Sequence, residues 1–259
     1  MNVVSSNICG GLGNMMFQIA TGYSISLDEG SEFIIDETEH FNSHQPLSKY
    51  KNTIFKNLKF SQDKILFEIY NDGNFHYSKI PKFNKNIKLS GFFQSEKYFK
   101  KNKEKIFSLY EISDEIKNKL QRIYGNVLKN KTCSLHVRRG DYVHLNDYHP
   151  ILPFEYYKKA YDIIGEDFTY LIFSNDIEYC KDKFEYIENK IFIENLEDYE
   201  DLYLMTLCNN NIIANSTFSW WGAWLNKNVN RVIAPSKWFG PKLQLHNTKD
   251  IYAKNWIII

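Results

Sequence analysis

The chain has 259 residues, 43% of them hydrophobic, and a formal net charge of +1. That length buries one large core or two modest ones. The near-neutral balance excludes a partner held by bulk charge, nucleic acid above all, and no run reaches the roughly 18–20 apolar residues that span a bilayer.

In chain order, Asn2–Cys9 reads as a short strand running into the glycine-rich turn Gly10–Asn14. Apolar residues then recur at helical spacing from Met15, with Gly30 just beyond the helix end. "SEFIIDE" predicts a second strand. Residues 40–110 mix short apolar pieces with lysines and aromatics, and within them "KLSGFFQS" (Lys88–Ser95) predicts a strand leading into a loop. "SDEIKNKLQRIYGN" predicts a helix capped by Ser113 or Asp114 and closed at Gly125.

From Lys131 the pattern sharpens. Strands at "CSLHV", "TYLIFSND", "KIFIEN", "NIIAN" and "RVIAPS" alternate with helices at "LPFEYYKKAYDII", "DIEYCKDKF", "EDYEDLYLMTLCN" and "STFSWWGAWLN". Five strands alternating with helices predict an α/β fold with a parallel sheet, "RVIAPS" being the last strand. The change in pattern divides the chain into 1–130 and 131–259.

Cys9, Cys133, Cys180 and Cys208 are scattered, with no Cys-x-x-Cys pair. They read as reduced thiols, which suits a cytoplasmic protein. The first residues lack the basic and apolar segments of a secretory leader. Nine lysines against Glu96 and Glu104 crowd Lys79–Lys105. They read as a solvated face, or else as a peripheral contact with anionic lipid or a lipid-linked phosphate at the inner membrane face.

Ligands of a parallel α/β sheet bind at the carboxyl ends of its strands. Arg138, Arg139 and Asp141 follow "CSLHV"; Ser216, Thr217 and Ser219 follow "NIIAN" at a helix start. A guanidinium fork beside helical N–H groups makes a diphosphate cradle. The plainer readings are an N-cap at Ser216 or Thr217 and an ion pair between the tandem arginines and Asp141. "GGLGN" has Met15 where a dinucleotide fingerprint needs glycine, and no Walker loop, Asp-x-Asp, His-Glu-x-x-His or Gly-x-Ser-x-Gly occurs.

Three segments in order, "GGLGNMMFQIA", "HVRRGDY" and "IIANSTFSWWGAWL", resemble the galactoside α-1,2-fucosyltransferases of bacterial type, glycosyltransferase family 11. Smaller echoes are "FSNDIEYCKDKF" and "VIAPSKWF". The resemblance implies inverting transfer of L-fucose from GDP-fucose to the 2-hydroxyl of a galactose-terminated glycan. It implies a GT-B-like fold of two Rossmann-like halves with parallel sheets, the acceptor mainly on 1–130 and the donor mainly on 131–259. It also implies no cofactor and no divalent metal. A cytoplasmic enzyme of this kind suggests surface-polysaccharide synthesis on a lipid-linked acceptor.

Carried over by residue, the resemblance puts Arg138 on the β-phosphate and His136 beside the guanosine. Asn215, Ser216, Thr217 and Phe218 stand at the phosphates with Asp141 nearby, and Asp198 or Asp201 reads the guanine edge. Gly11, Gly13, Asn14 and Gln18 face the acceptor cleft. Met15 departs from the family's glutamine, which bears on acceptor preference. Arg139 points away from Arg138 and reads as structural, paired with Asp141. The acceptor proton goes to Asp147, ahead of His144 or Asp141, or else to the departing phosphate. Two other readings stand: a transferase of the same fold with another nucleotide sugar, and a non-catalytic nucleotide- or glycan-binding module.

Overall fold

The computed structural model describes residues 1–38 and 46–259. Two compact units form: Met1–Ser113 with His246–Ala253, and Asp114–Leu245 with Lys254–Ile259.

In the first unit, β1 (Val3–Ser6), β2 (Glu32–Phe33), β5 (Glu68–Asp72) and β6 (Ile87–Gly91) make a parallel sheet in the order β2-β1-β6-β5. A small second pair joins β3 (Ile35–Asp36) to β4 (Phe60–Ser61). The single strand expected at "SEFIIDE" is therefore two. Ile34 N–H donates to Val4 O, and one residue later Ile35 N–H donates to Lys59 O, so the chain changes partner in mid-run. Helices α1 (Leu12–Glu29), α2 (Ser48–Lys51) and α3 (Lys103–Leu109) belong to this unit.

Helix α1 begins three residues earlier than the periodicity predicts. Gly10 turns the chain at φ 79°, Gly11 is the N-cap, and the helix closes on left-handed Gly30. At Gly22 the helix touches the sheet: a Cβ there would lie 2.4 Å from the Phe33 ring and 2.6 Å from Ser6 Oγ.

At least five of the nine lysines in 79–105 form ion pairs, with Glu68, Asp36, Asp250, Glu96 and Asp28. Lys88 is not on a solvated face. It lies inside the unit, 2.7 Å from buried Asp36. Burial raises the Asp36 pKa, but bonds from Lys88 and Thr38 outweigh it and hold the carboxyl low.

The second unit holds six parallel strands: β7 (Thr132–Val137), β8 (Thr169–Ser174), β9 (Lys190–Phe192), β10 (Asn210–Ile212), β11 (Arg231–Ala234) and β12 (Ile257–Ile258). Their order is β12-β11-β10-β7-β8-β9. "RVIAPS" is thus not the last strand; the two-residue β12 pairs beside it, too short to show any period. From β7 the chain winds outward through β8 and β9, then returns to β7's other side for β10, β11 and β12. The carboxyl ends of β7 and β10 therefore flank the switch point where such sheets bind ligands.

Helices α4 (Asp114–Tyr124), α5 (Phe154–Ile164), α6 (Ile177–Lys183), α7 (Asp198–Met205) and α8 (Thr217–Trp224) surround this sheet. Alternate residues of β8 enter two cores: Tyr170 and Ile172 pack with Leu135, Tyr156 and Phe184, while Leu171 and Phe173 pack with Leu204 and Met205. Residues 114–130 group with this unit rather than with the chain before them. Helix α4 buries Ile116 and Leu120, and Lys119 bonds both carboxylate oxygens of Glu200 on α7 at 2.7 Å. Residues 246–253 return to the first unit, where Asp250 accepts from Lys97 and from Tyr77 N–H. All four cysteines are free thiols. Among the described residues no helix is long and apolar enough to cross a membrane.

Candidate active site

The β7 ladder ends at Val137, opposite Ser174. Arg138 and Arg139 follow, then a 3₁₀ turn over Gly140–Val143. Arg138 Nη2 lies 2.7 Å from Asp141 Oδ1, and its guanidinium carbon is 5.2 Å from the centroid of the Tyr142 ring. Arg139 goes the other way. Its Nε is 2.9 Å from Asp176 Oδ2, and its guanidinium lies 3.8 Å from the Tyr179 ring centroid. Of the two arginines offered to Asp141 by the sequence, Arg138 takes it, and the Arg139–Asp141 pair does not form. Arg139 leaves the extended backbone as the N-cap of the 3₁₀ turn that carries Asp141, and Asp141 lies beside Arg138.

One bond ties the two strand ends together: Tyr142 OH donates to Asn215 O at 3.2 Å. Asn215 is buried, its Nδ2 spent on Pro150 O at 2.9 Å and Trp238 O at 3.2 Å. Ser216 is the N-cap of α8, but its hydroxyl makes no capping bond. Thr217 and Phe218 are half-buried in the first turn, and the Phe218 ring centroid lies 5.5 Å from that of His136. His136 is buried on β7. Burial first, and then the Arg138 charge, push its pKa down to about 3, so the imidazole is neutral.

Asp201 lies on α7. Burial, with the charges of Asp198 and Glu200 adding to it, raises its pKa to about 8. Asp198 spends Oδ1 on Tyr199 N–H. Among the described residues eight buried side-chain polar atoms have no partner, and four of them are His136 Nδ1, Arg138 Nε, Asp201 Oδ1 and Asn215 Oδ1. Unpaired buried polar atoms are few in native proteins, and each calls for an explanation. Half of them here fall on residues expected at the donor.

The loop after Val143 is less favourable to the expected bases. His144 is exposed. Asp147 is also exposed, 3.3 Å from Lys242 Nζ, and its carbonyl accepts Lys242 N–H at 2.9 Å. These bonds pin it to residues 240–242. The loop histidine that does meet the strand-end cluster is His149, which sequence reasoning missed. Its ring stacks on Tyr142 at 4.9 Å and lies 5.9 Å from that of Phe239. Burial lowers its pKa, Asp141 opposing and Arg138 reinforcing the shift. No spacing rule separates His149 from His144; only folding of the loop does.

In the first unit, Asn14 Oδ1 accepts from Gln94 Nε2 at 3.1 Å. Gln94 is buried and its Oε1 has no partner. It follows Phe93, which holds a left-handed φ of 50°, a conformation that collects at functional sites. The sequence signal for Gln94 was only its place after a predicted strand. Gln18 does not face a cleft. It is fully buried, accepting Cys9 N–H at 2.9 Å through Oε1 and donating Nε2 to Cys9 Sγ at 3.1 Å, so it braces the glycine turn. Gly13 is buried and Gly11 half-buried. Met15 is fully buried, so this departure from the family's pattern is a core residue. Among the described residues no three His, Cys, Asp or Glu side chains gather to hold a metal ion.

The family model for glycosyl transferase family 11 matches residues 2–259. The chain is 31% identical to the Escherichia coli O-antigen biosynthesis glycosyltransferase WbnK, across 97% of this chain and 99% of that one. It is 30% identical to the Escherichia coli alpha-1,2-colitosyltransferase, across 100% and 99%. NodZ alpha-1,6-fucosyltransferase, in a crystal soaked with GDP-fucose, superposes with a TM-score of 0.61 over 91% of this chain and 95% of that one, at 14% identity. That likeness bears out the expected fold class, α/β and GT-B-like with parallel sheets. With one family matched from the second residue to the last, and two full-length relatives at 30% identity or more, the chain belongs to glycosyl transferase family 11.

Proposed function

We propose that this glycosyltransferase moves L-fucose from GDP-β-L-fucose to the 2-hydroxyl of a terminal galactoside, inverting the anomeric centre. The observation that carries the reading is the set of buried, unpaired atoms on His136, Arg138 and Asn215 at the carboxyl ends of β7 and β10, with a fourth on Asp201 of α7. Three of these residues have a use on a guanosine diphosphate. Neutral His136 packs with Phe218 beside the nucleoside. Asp201, once ionised, accepts the N–H groups of the guanine edge. Arg138 takes the β-phosphate, where charge builds as the bond to the anomeric carbon breaks. The N–H groups opening α8 at Thr217 share that charge.

The proton of the attacking hydroxyl passes to the departing diphosphate. Asp141 is engaged by Arg138, and Asp147 faces Lys242. Charge is carried by Arg138 and α8, so turnover survives EDTA; activity lost to EDTA and restored by Mg²⁺ or Mn²⁺ overturns this part. The acceptor is a galactose-terminated, lipid-linked glycan held by Asn14 and the first unit. The 31% identity to an O-antigen biosynthesis glycosyltransferase supports surface-polysaccharide synthesis.

A second reading keeps the chemistry and changes the sugar, and the 30% identity to an alpha-1,2-colitosyltransferase favours it. Incubation with lactose and either GDP-fucose or GDP-colitose decides. GDP release with an α-1,2-fucosylated product supports the first reading, and turnover with GDP-colitose alone supports the second. GDP binding without turnover across β-galactosides supports a non-catalytic module.

A further inference from the structure

The segment "FSND" (Phe173–Asp176), at the end of β8, has no part in the functional reading so far. We infer that Asn175 and Asp176 are positioning residues for the Arg138 guanidinium, acting through the backbone of Arg139 and Gly140. The inference rests on the proposed phosphate role of Arg138.

The main-chain ladder between β7 and β8 stops at Val137 and Ser174. Past that point a side chain replaces it. Asn175 Oδ1 accepts Arg139 N–H at 3.0 Å, fixing the peptide that joins the two arginines. Asp176 fixes the next group outward. One carboxylate oxygen takes Arg139 Nε at 2.9 Å, and the other accepts Tyr179 N–H at 3.3 Å as the N-cap of α6. Asp176 is thus held by a helix end while it holds Arg139, and the Tyr179 ring covers that guanidinium. Arg139 is anchored at its backbone and at its tip.

Gly140 completes the clamp. Its φ is +22°, and a Cβ there would lie 2.0 Å from Asn175 Nδ2. Only glycine lets the turn close against Asn175. Arg138 is therefore bracketed by the last ladder pair at Val137 on one side and a clamped peptide on the other. Asp141, in the turn that begins at Gly140, then holds its tip. A phosphate ligand that acts on developing charge depends on such placement, since small misplacements cost large rate factors.

The test is a double-mutant cycle on the full-length protein, read by GDP titration calorimetry and by kcat. We expect Asn175→Ala to weaken GDP binding about tenfold. In the Arg138→Ala background the same change should cost less than about twofold, because its effect passes through Arg138. An equal loss in both backgrounds marks a merely structural role and overturns the inference. So does unchanged GDP affinity in Asn175→Ala while Arg138→Ala binds poorly. If Arg138→Ala itself binds GDP and turns over normally, the phosphate reading fails, and this inference with it. Should Asn175→Ala not fold, Arg139→Lys loses the stack on Tyr179 but keeps the charge toward Asp176. The same cycle then applies, with an Arg138-dependent loss expected and an equal loss in both backgrounds overturning.

Discussion

Arg138 Nη2 and Asp141 Oδ1 lie 2.7 Å apart, three residues along the chain, while the Nε of the same guanidinium is buried without a partner. One end of the fork is oriented by Asp141. That asymmetry separates Arg138 from Arg139, whose Nε is spent on Asp176.

Arg138→Ala should lower kcat by about 10²–10³-fold, the usual loss for one donor to a developing oxyanion. Arg138→Lys should restore little, since a point charge does not replace the planar fork. Asp141→Asn should leave Tm almost unchanged, because ion pairs this exposed contribute about 0–1 kcal/mol, yet lower kcat about tenfold by freeing the guanidinium. Steady-state GDP release and thermal melts check the set. Near wild-type kcat in Arg138→Ala removes Arg138 from the mechanism.

Asp201 should make GDP binding depend on pH. In the free protein its pKa is raised to about 8, so below that pH the carboxyl holds a proton. To accept the guanine N–H groups it must release that proton, so affinity should rise with pH and level off near 8. His136, lowered to about 3, stays neutral throughout and adds no slope. Asp201→Asn should weaken GDP and flatten the profile. A slope that survives in Asp201→Asn assigns it to another group.

Stability follows the same group with the opposite sign. The folded state keeps the Asp201 proton from the ordinary carboxyl range up to about 8, and the unfolded chain does not. Asp201 therefore favours the fold least above pH 8, and replacing it with asparagine should make urea midpoints less sensitive to pH between 5 and 8.

Gly22→Ala should destabilise the first unit, although alanine is the better helix former by about 0.5–1 kcal/mol. The added methyl meets the Phe33 ring and Ser6 Oγ at distances no packed core tolerates, an overpacking cost of about 1–3 kcal/mol. Denaturant midpoints decide; a stabilised variant would show that α1 lifts from the sheet freely.

His144→Ala and Asp147→Asn should each keep kcat within about threefold, since neither meets the strand-end cluster and a missing general base costs about 10²–10⁴-fold. The comparison is made at saturating donor. A loss of the larger size in Asp147→Asn would reinstate it as the base and show that the loop leaves Lys242 during turnover.

Local pattern in the sequence was enough for the parallel α/β class, for most strands and helices after Lys131, and for the two strand ends that carry Arg138 and Ser216. Those features repeat over a few residues: strands as short apolar runs, helices as 3.6-residue periods, sites as the residues that come next. The whole-chain family match bears out the resemblance those motifs carried. What the tertiary structure alone decided was pairing that no local pattern specifies. Arg139 found Asp176 from the next strand end. Gln18 turned inward to brace Cys9, and Lys88 entered the core because Asp36 meets it from another strand. The two residues of β12 joined the sheet, and His149 rather than His144 reached Tyr142. None of these has a local signature, because each depends on which surfaces burial brings together rather than on the propensity of the segment itself.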